Sequence, residues 1–252
     1  VTSTTLTTFA NGLRLYTQSP DEARFQYREI FEHGCYEGMS LPPRALVVDV
    51  GACIGMFTLY TKLRHPDARV IAFEPVAESR RILDRNIALH RLADVRVEAH
   101  GVGRAPNEAV SFTYYPRLPG NSTRYPDQKA LQIAVLAEKY PDEDAVANHR
   151  GFQVTAPVDR LSRWLPRDGR VDLLKIDVEG AEIDVLEGID ADDWPRIDRV
   201  VAEVQDLDGR LAAATRLLRD AGLDTVCEPS PLVETEIRTF LVTARRDGRE
   251  AE

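Results

Sequence analysis

Ala45-Leu46-Val47-Val48-Asp49-Val50-Gly51-Ala52-Cys53-Ile54-Gly55 decides the fold class. Its first half is a β-branched apolar run without polar alternation, the pattern of a strand buried on both faces. Its second half is punctuated by glycine and leads into residues 56–63, where apolar positions recur at helical spacing. A strand, a glycine turn and a helix in that order form the opening unit of a parallel sheet wrapped by helices. Pro42-Pro43, just upstream, mark where the preceding segment must stop.

The same rhythm extends along the chain. A second strand over residues 69–73 ends at Glu74-Pro75, and a helix to about residue 90 turns Ile82, Leu83, Ile87 and Leu89 toward the core. Val95 opens a third strand. Further strands are expected at residues 110–114, 152–158, 171–178, 199–204, 223–227 and 237–242, with a helix over residues 210–221 closed by Gly222. Two segments stand outside the rhythm. Residues 1–43 hold Asn11-Gly12, a hairpin signal, then a helical pattern from residue 21 to about residue 32, and read as a cap on a main domain of residues 44–244. Residues 115–151 interrupt that domain with a loop and a helix near residues 129–139; such an insertion is either a lid over a substrate or a surface excursion. Residues 245–252 read as a tail.

The chain of 252 residues, 43% hydrophobic and 29% charged, suits one large folded domain or two small ones. No stretch approaches the roughly 18 apolar residues of a membrane helix, and the first residues lack an export signal, so a soluble cytoplasmic protein is expected. Its 32 basic and 41 acidic residues leave a charge of −9, which argues against general affinity for nucleic acid or an anionic membrane and favours a small-molecule partner. Cys35, Cys53 and Cys227 are too far apart for a CxxC pair and fit a reducing compartment.

The turn after the first strand reads DxGxxxG, whereas a dinucleotide fingerprint requires GxGxxG, with room for a pyrophosphate; Cys53 stands at the second glycine's place. A ligand without a pyrophosphate tolerates this, and S-adenosylmethionine is the adenosine-bearing candidate. Glu74, 23 residues beyond Gly51 at the end of the next strand, is placed to accept hydrogen bonds from ribose hydroxyls. His100 and Gly101 follow the third strand, where a loop could pass an adenine ring and an imidazole could read its amine; a plain surface turn is the other reading.

Asp172-Leu173-Leu174-Lys175-Ile176-Asp177-Val178-Glu179-Gly180-Ala181-Glu182 is a second buried strand that delivers acids at its carboxyl end and runs into a helix. Glu179 and Glu182 also suit that helix's positive N-terminus, and Lys175 reads as a paired structural lysine. Together with Asp49-Val50-Gly51-Ala52 and Phe73-Glu74-Pro75, this block resembles the FkbM family of S-adenosylmethionine-dependent methyltransferases. The likeness takes in the Gly34 to Glu37 region, Gly120-Asn121-Ser122-Thr123 and Glu203-Val204. It implies a class I, Rossmann-like α/β fold with a mostly parallel seven-stranded sheet, and O-methylation of a hydroxyl in a polyketide, sugar or similar metabolite. Two positions depart from the family pattern: Cys53 stands where Asn is common, and Gln205 where a His often follows Glu-Val.

The expected cofactor contacts are Glu37, Asp49, Gly51, Ala52, Cys53, Gly55, Glu74, Pro75, His100, Gly101, Asp177 and Glu179. The expected catalytic residues are Asp177, Glu203 and His149. Two routes activate the acceptor hydroxyl. In one, Asp177, Glu203 and Asp206, with help from Glu179 or Gln205, hold Mg²⁺ that polarises the oxygen. In the other, one of these carboxylates or His149 removes the proton while Asp177 holds the cofactor's amino group. Both are compatible with the sequence, as are two alternatives to catalysis of this kind: a silent cofactor-binding scaffold and an NAD(P)-dependent oxidoreductase.

Overall fold

The computed structural model describes residues 4–36 and 40–246. It opens with a hairpin of β1 (Thr5–Thr8) and β2 (Arg14–Thr17), followed by α1 (Pro20–Tyr27). The alternating part comprises β3 (Leu46–Val50), α2 (Met56–Arg64), β4 (Arg69–Phe73), α3 (Ala77–His90) and β5 (Val95–Glu98). Then come β6 (Gly101–Val102), β7 (Asn107–Tyr114), α4 (Lys129–Lys139), α5 (Ala145–Asn148) and β8 (Phe152–Asp159). The chain finishes with β9 (Leu173–Ile176), α6 (Glu182–Glu187), β10 (Arg199–Gln205), α7 (Arg210–Asp220), β11 (Asp224–Pro229) and β12 (Thr239–Arg245). Among the described residues, no helix is long and apolar enough to cross a membrane.

Seven strands form the central sheet in the order β11-β12-β10-β9-β3-β4-β5, with β12 antiparallel to its neighbours and the rest parallel. The chain steps outward from β3 to β5 on one side and returns to β9 and β10 on the other. The order therefore reverses between β3 and β9, and the crevice at their carboxyl ends is where such sheets bind ligands. This is the Rossmann-like α/β sheet expected. The continuous apolar run in β3 has a simple cause. Leu46, Val48 and Val50 feed one core while Val47 feeds the other, where Leu15, Tyr27 and Ile30 of the N-terminal segment pack.

The strands expected at residues 110–114 and 152–158 do not join this sheet. As β7 and β8 they pair antiparallel, with β6 beside β8, in a separate three-stranded sheet. Their inward residues Val110, Phe112, Ala156 and Val158 make a small core of their own. Apolar content makes a segment a strand without saying which sheet receives it.

A buried charge pair joins the two central strands. Asp49 of β3 is fully buried and lies in register with Lys175 of β9. The Lys175 ammonium is 3.2 Å from Asp49 Oδ1 and donates to the Gly51 carbonyl at 2.7 Å, while the Thr58 hydroxyl donates to Asp49 Oδ2 at 2.7 Å. Burial opposes the charge on Lys175, but Asp49 and then Asp177 outweigh it and hold its pKa above the usual lysine value. The loops after β3 and β9 also touch: Gly51 has φ +84, and a Cβ there would lie 1.8 Å from the Asp177 carbonyl oxygen. Only glycine fits this approach.

Replacing Lys175 with Met leaves Asp49 buried without its cation, so Lys175→Met should cost about 3–5 kcal/mol in urea denaturation. A loss below about 1 kcal/mol would show that the pair does not hold the strands together.

Candidate active site

Two hollows that share a wall occupy the carboxyl edge of the sheet. The smaller is bounded by Gly51, Cys53, Glu74, Pro75, His100 and Gly101, with Phe112 and Val158 of the second sheet closing its far side. Glu74 is fixed at its centre: Oε2 accepts from the Cys53 amide at 2.9 Å and Oε1 from the Val76 amide at 2.8 Å. Burial pushes its carboxyl up to about 7, against the pull of those two amides. His100 packs its ring on Trp164 with centroids 4.6 Å apart, and its buried Nδ1 lacks a hydrogen-bond partner among the described residues.

The larger hollow, of about 800 Å³, lies on the other side of Gly51, Cys53, Asp177 and Glu179, which line both. Its walls are strongly acidic. Asp177 and Glu203 reach it from the ends of β9 and β10, whose register sets Ile176 beside Ala202. Burial raises the pKa of Glu203 well above the carboxylate range, and Glu29 and Asp177 raise it further. Glu203 Oε2 accepts from the Ser230 hydroxyl at 3.1 Å.

The roof comes from α1 and the turn after it. Glu22, Gln26 and Glu29, spaced for one helical face, line the cavity, while Ala23, Tyr27 and Ile30 on the adjacent face are buried in the core. The segment between β7 and β8 completes the enclosure and is tied down on three sides. The Gly120 amide donates to Glu22 Oε1 at 2.7 Å, and the Ser19 hydroxyl donates to the Arg117 carbonyl at 2.7 Å. The Thr123 hydroxyl donates to the Glu179 carbonyl at 2.6 Å, and the buried Lys129 ammonium pairs with the Glu179 carboxylate. Lys139 at the end of α4 bridges to Glu234 at 2.6 Å and Glu236 at 2.8 Å in the connection between β11 and β12.

A family model described as the methyltransferase FkbM domain matches residues 49–223. The chain belongs to the FkbM methyltransferase family. It is 40% identical over 257 residues to the 31-O-demethyl-FK506 methyltransferase FkbM of Streptomyces tacrolimicus, covering 94% of this chain and 95% of that one. It is 37% identical over 229 residues to Methyltransferase 1 of Beauveria bassiana, covering 90% of this chain and 91% of that one. Among solved structures, methyltransferase FkbM from Methylobacillus flagellatus shares the fold with a TM-score of 0.53 at 14% identity, over 86% of this chain and 47% of that one. The oxidoreductase alternative falls with this assignment.

Within this FkbM fold, the expected site residues divide. Gly51, Cys53, Glu74, Pro75, His100, Gly101, Asp177 and Glu179 border the smaller hollow, and Ala52 the larger. Glu37 lies outside the described residues. Asp49, expected at the cofactor, is spent on Lys175 and Thr58 beneath the crevice. Gly55 is a packing glycine: a Cβ there would stand 2.5 Å from Leu83 Cδ1.

His149, expected as a base, is buried away from the hollows. Its Nδ1 bonds the Ala145 carbonyl at 2.8 Å and its ring meets Tyr115 edge-on; burial lowers its pKa. Asp206, expected with Asp177 and Glu203 on Mg²⁺, instead pairs with Arg238 at 3.0 Å and accepts from the Leu211 amide at the start of α7. Gln205 donates to the Ile237 carbonyl at 3.0 Å. Among the described residues, no group of three or more His, Cys, Asp or Glu side chains could hold a metal ion, and the residues present do not fit the expected Mg²⁺ site. Glu22 and Glu29 went unnoticed in the sequence. Their one signal is a polar stripe one step ahead of the apolar stripe on α1, which surface helices also carry.

Burial, followed by repulsion from Asp177 and Glu179, pushes the Glu29 carboxyl up to about 8. The folded chain thus binds this proton more tightly than the unfolded chain does, so the stability this group contributes is fully present below about pH 4.5 and is lost as pH rises through 8. Glu29→Gln removes that loss. At pH 8 the variant should be more stable than the parent by about 4 kcal/mol, with the gain vanishing near pH 4, as read by denaturation at both pH values.

Proposed function

We propose that this family member is an S-adenosylmethionine-dependent O-methyltransferase acting on a hydroxyl of a small natural product such as a polyketide or sugar. One observation carries the reading. A pocket with the furniture of a nucleoside site shares the wall of Gly51, Cys53, Asp177 and Glu179 with a cavity large enough for an organic acceptor. Methyl transfer requires such an arrangement, because donor and acceptor must meet in line across a short gap.

The residues of the smaller pocket fit the cofactor. Each Glu74 oxygen takes one backbone donor, which leaves carboxylate lone pairs for two ribose hydroxyls. His100 stands on that wall to meet the base, and the lack of a Cβ at Gly101 lets Phe112 and Val158 close the pocket's far side. A dinucleotide's pyrophosphate would need a glycine where Cys53 stands. When bound, the cofactor supplies a methyl group on a positively charged sulfur, a good leaving group.

The chain's own residues then have limited tasks. Glu74 and the turn from Gly51 to Cys53 fix the donor, and the Lys175 ammonium beneath Gly51 holds that turn in place. Asp177, on the shared wall, and Glu203, one strand away, orient the acceptor through hydrogen bonds to its polar groups. The tied-down insertion excludes water, which strengthens every polar contact inside.

Calorimetric titration with S-adenosylhomocysteine should give micromolar binding, on the order of −8 kcal/mol, with NADH inert. Glu74→Ala should weaken it by about tenfold or more, through loss of a charged hydrogen-bonding partner. In a screen of hydroxylated polyketides and sugars with methyl-labelled cofactor, Asp177→Asn should lower kcat about 100-fold with little change in melting temperature. Absence of homocysteine-ligand binding, or full turnover by Asp177→Asn, would sink the reading.

A further inference from the structure

The roof contributes a carboxylate that none of these tasks uses. Glu29 lies in the π-helical turn Arg28–Glu32 that continues α1, where the His33 amide reaches back five residues to the Arg28 carbonyl at 2.8 Å. Such wide turns are rare and concentrate at functional sites. The side chain lines the same cavity as Asp177 and Glu203. The groups acting on it come from every neighbouring element. Asp177 and Glu179 from the loop after β9 and Glu203 from β10 oppose its charge, and Cys35 and Tyr36 lie close enough to feel it. Lys175 favours its charge but is already committed to Asp49 and Gly51, and Arg28 borders the cavity beside it.

We propose that Glu29 is the general base that takes the proton from the acceptor hydroxyl, with Asp177 and Glu203 orienting the acceptor. The proposal rests on the S-adenosylmethionine reading above. The balance is simple. The acceptor's O–H bond breaks and its proton passes to a Glu29 carboxylate oxygen, while an oxygen electron pair forms the new C–O bond. The methyl–sulfur bond breaks and its electron pair stays on sulfur, leaving a methyl ether, a neutral thioether and a protonated Glu29. That proton returns to water when the products leave.

Glu29 must be ionised to act, and in the free protein its acidic neighbours oppose this. A cation on the shared wall offsets Asp177 and Glu179 and releases the Glu29 proton. Donor binding therefore charges the base. S-adenosylmethionine and S-adenosylhomocysteine differ by one positive charge and one methyl group, so they separate this effect from binding itself.

The test is calorimetry of both ligands on the whole chain at pH 7, in buffers of different ionisation enthalpy, which counts protons released per site. With its carboxyl near 8, Glu29 is mostly protonated in the free protein, so S-adenosylmethionine should release roughly half to one proton more than S-adenosylhomocysteine. Glu29→Gln should abolish that difference, and Glu29→Asp, which keeps a carboxylate, should retain it. With the acceptor found in the screen above, Glu29→Gln should also lower kcat about 100-fold and change KM less than threefold. Equal proton release by the two ligands, or a difference that survives in Glu29→Gln, would overturn the proposal. Failure of both ligands to bind would instead overturn the cofactor reading.

Discussion

Everything at the carboxyl edge of the sheet hangs on one buried ion pair. Lys175 and Asp49 face each other across β9 and β3, and the same ammonium reaches up to the Gly51 carbonyl. Two charges inside a core are costly unless each is fully matched, and here Thr58 completes the match on the acid side. The result is a rigid floor from which two loops rise in fixed relation. One carries Gly51 and Cys53 toward Glu74. The other carries Asp177 and Glu179 toward the cavity. Because Gly51 passes so near the Asp177 carbonyl, neither loop can move without the other.

How much of this was legible depended on what each residue had to satisfy. β3, β4 and β9 were plain in the sequence because strands buried on both faces must be continuously apolar, and Glu74 and Asp177 stood out as acids where those runs end. Asp49 was conspicuous for the same reason, yet its carboxylate is taken up by Lys175 and Thr58 in the floor. A motif's spacing places a residue at the ligand edge but leaves open whether its side chain points up or down. Gly55 shows the same ambiguity, since a glycine that admits a ligand and one that admits Leu83 look alike in one sequence. His149 and Asp206 were chosen for their chemistry, and their partners Ala145 and Arg238 came from the fold alone. The helical stripe of Glu22, Gln26 and Glu29 was invisible as a site, because its partners lie about 150 to 180 residues away along the chain, at Asp177, Glu179 and Glu203.

The acidic composition also takes on a definite form. A net charge of −9 argues only against broad classes of partner, but several of the chain's acids converge on the larger hollow, where burial and mutual repulsion push Glu29 and Glu203 toward their protonated forms. Lys129 and Lys139 are two of only four lysines in the chain, and both spend their charge on acids that hold the insertion in place. Closure of the cavity is therefore electrostatic at its rim and apolar beneath.

The walls of the larger cavity have a divided inheritance. Its floor is the sheet edge, which cannot change without upsetting the core, whereas its roof is α1, the segment between β7 and β8, and the connection between β11 and β12. The segment between β7 and β8 and the connection between β11 and β12 are held there by a few polar ties, so their length and side chains are less constrained than those of the floor. Descendants of one ancestral enzyme could thus acquire new acceptors by redrawing the ceiling alone, keeping a donor site that need never be reinvented.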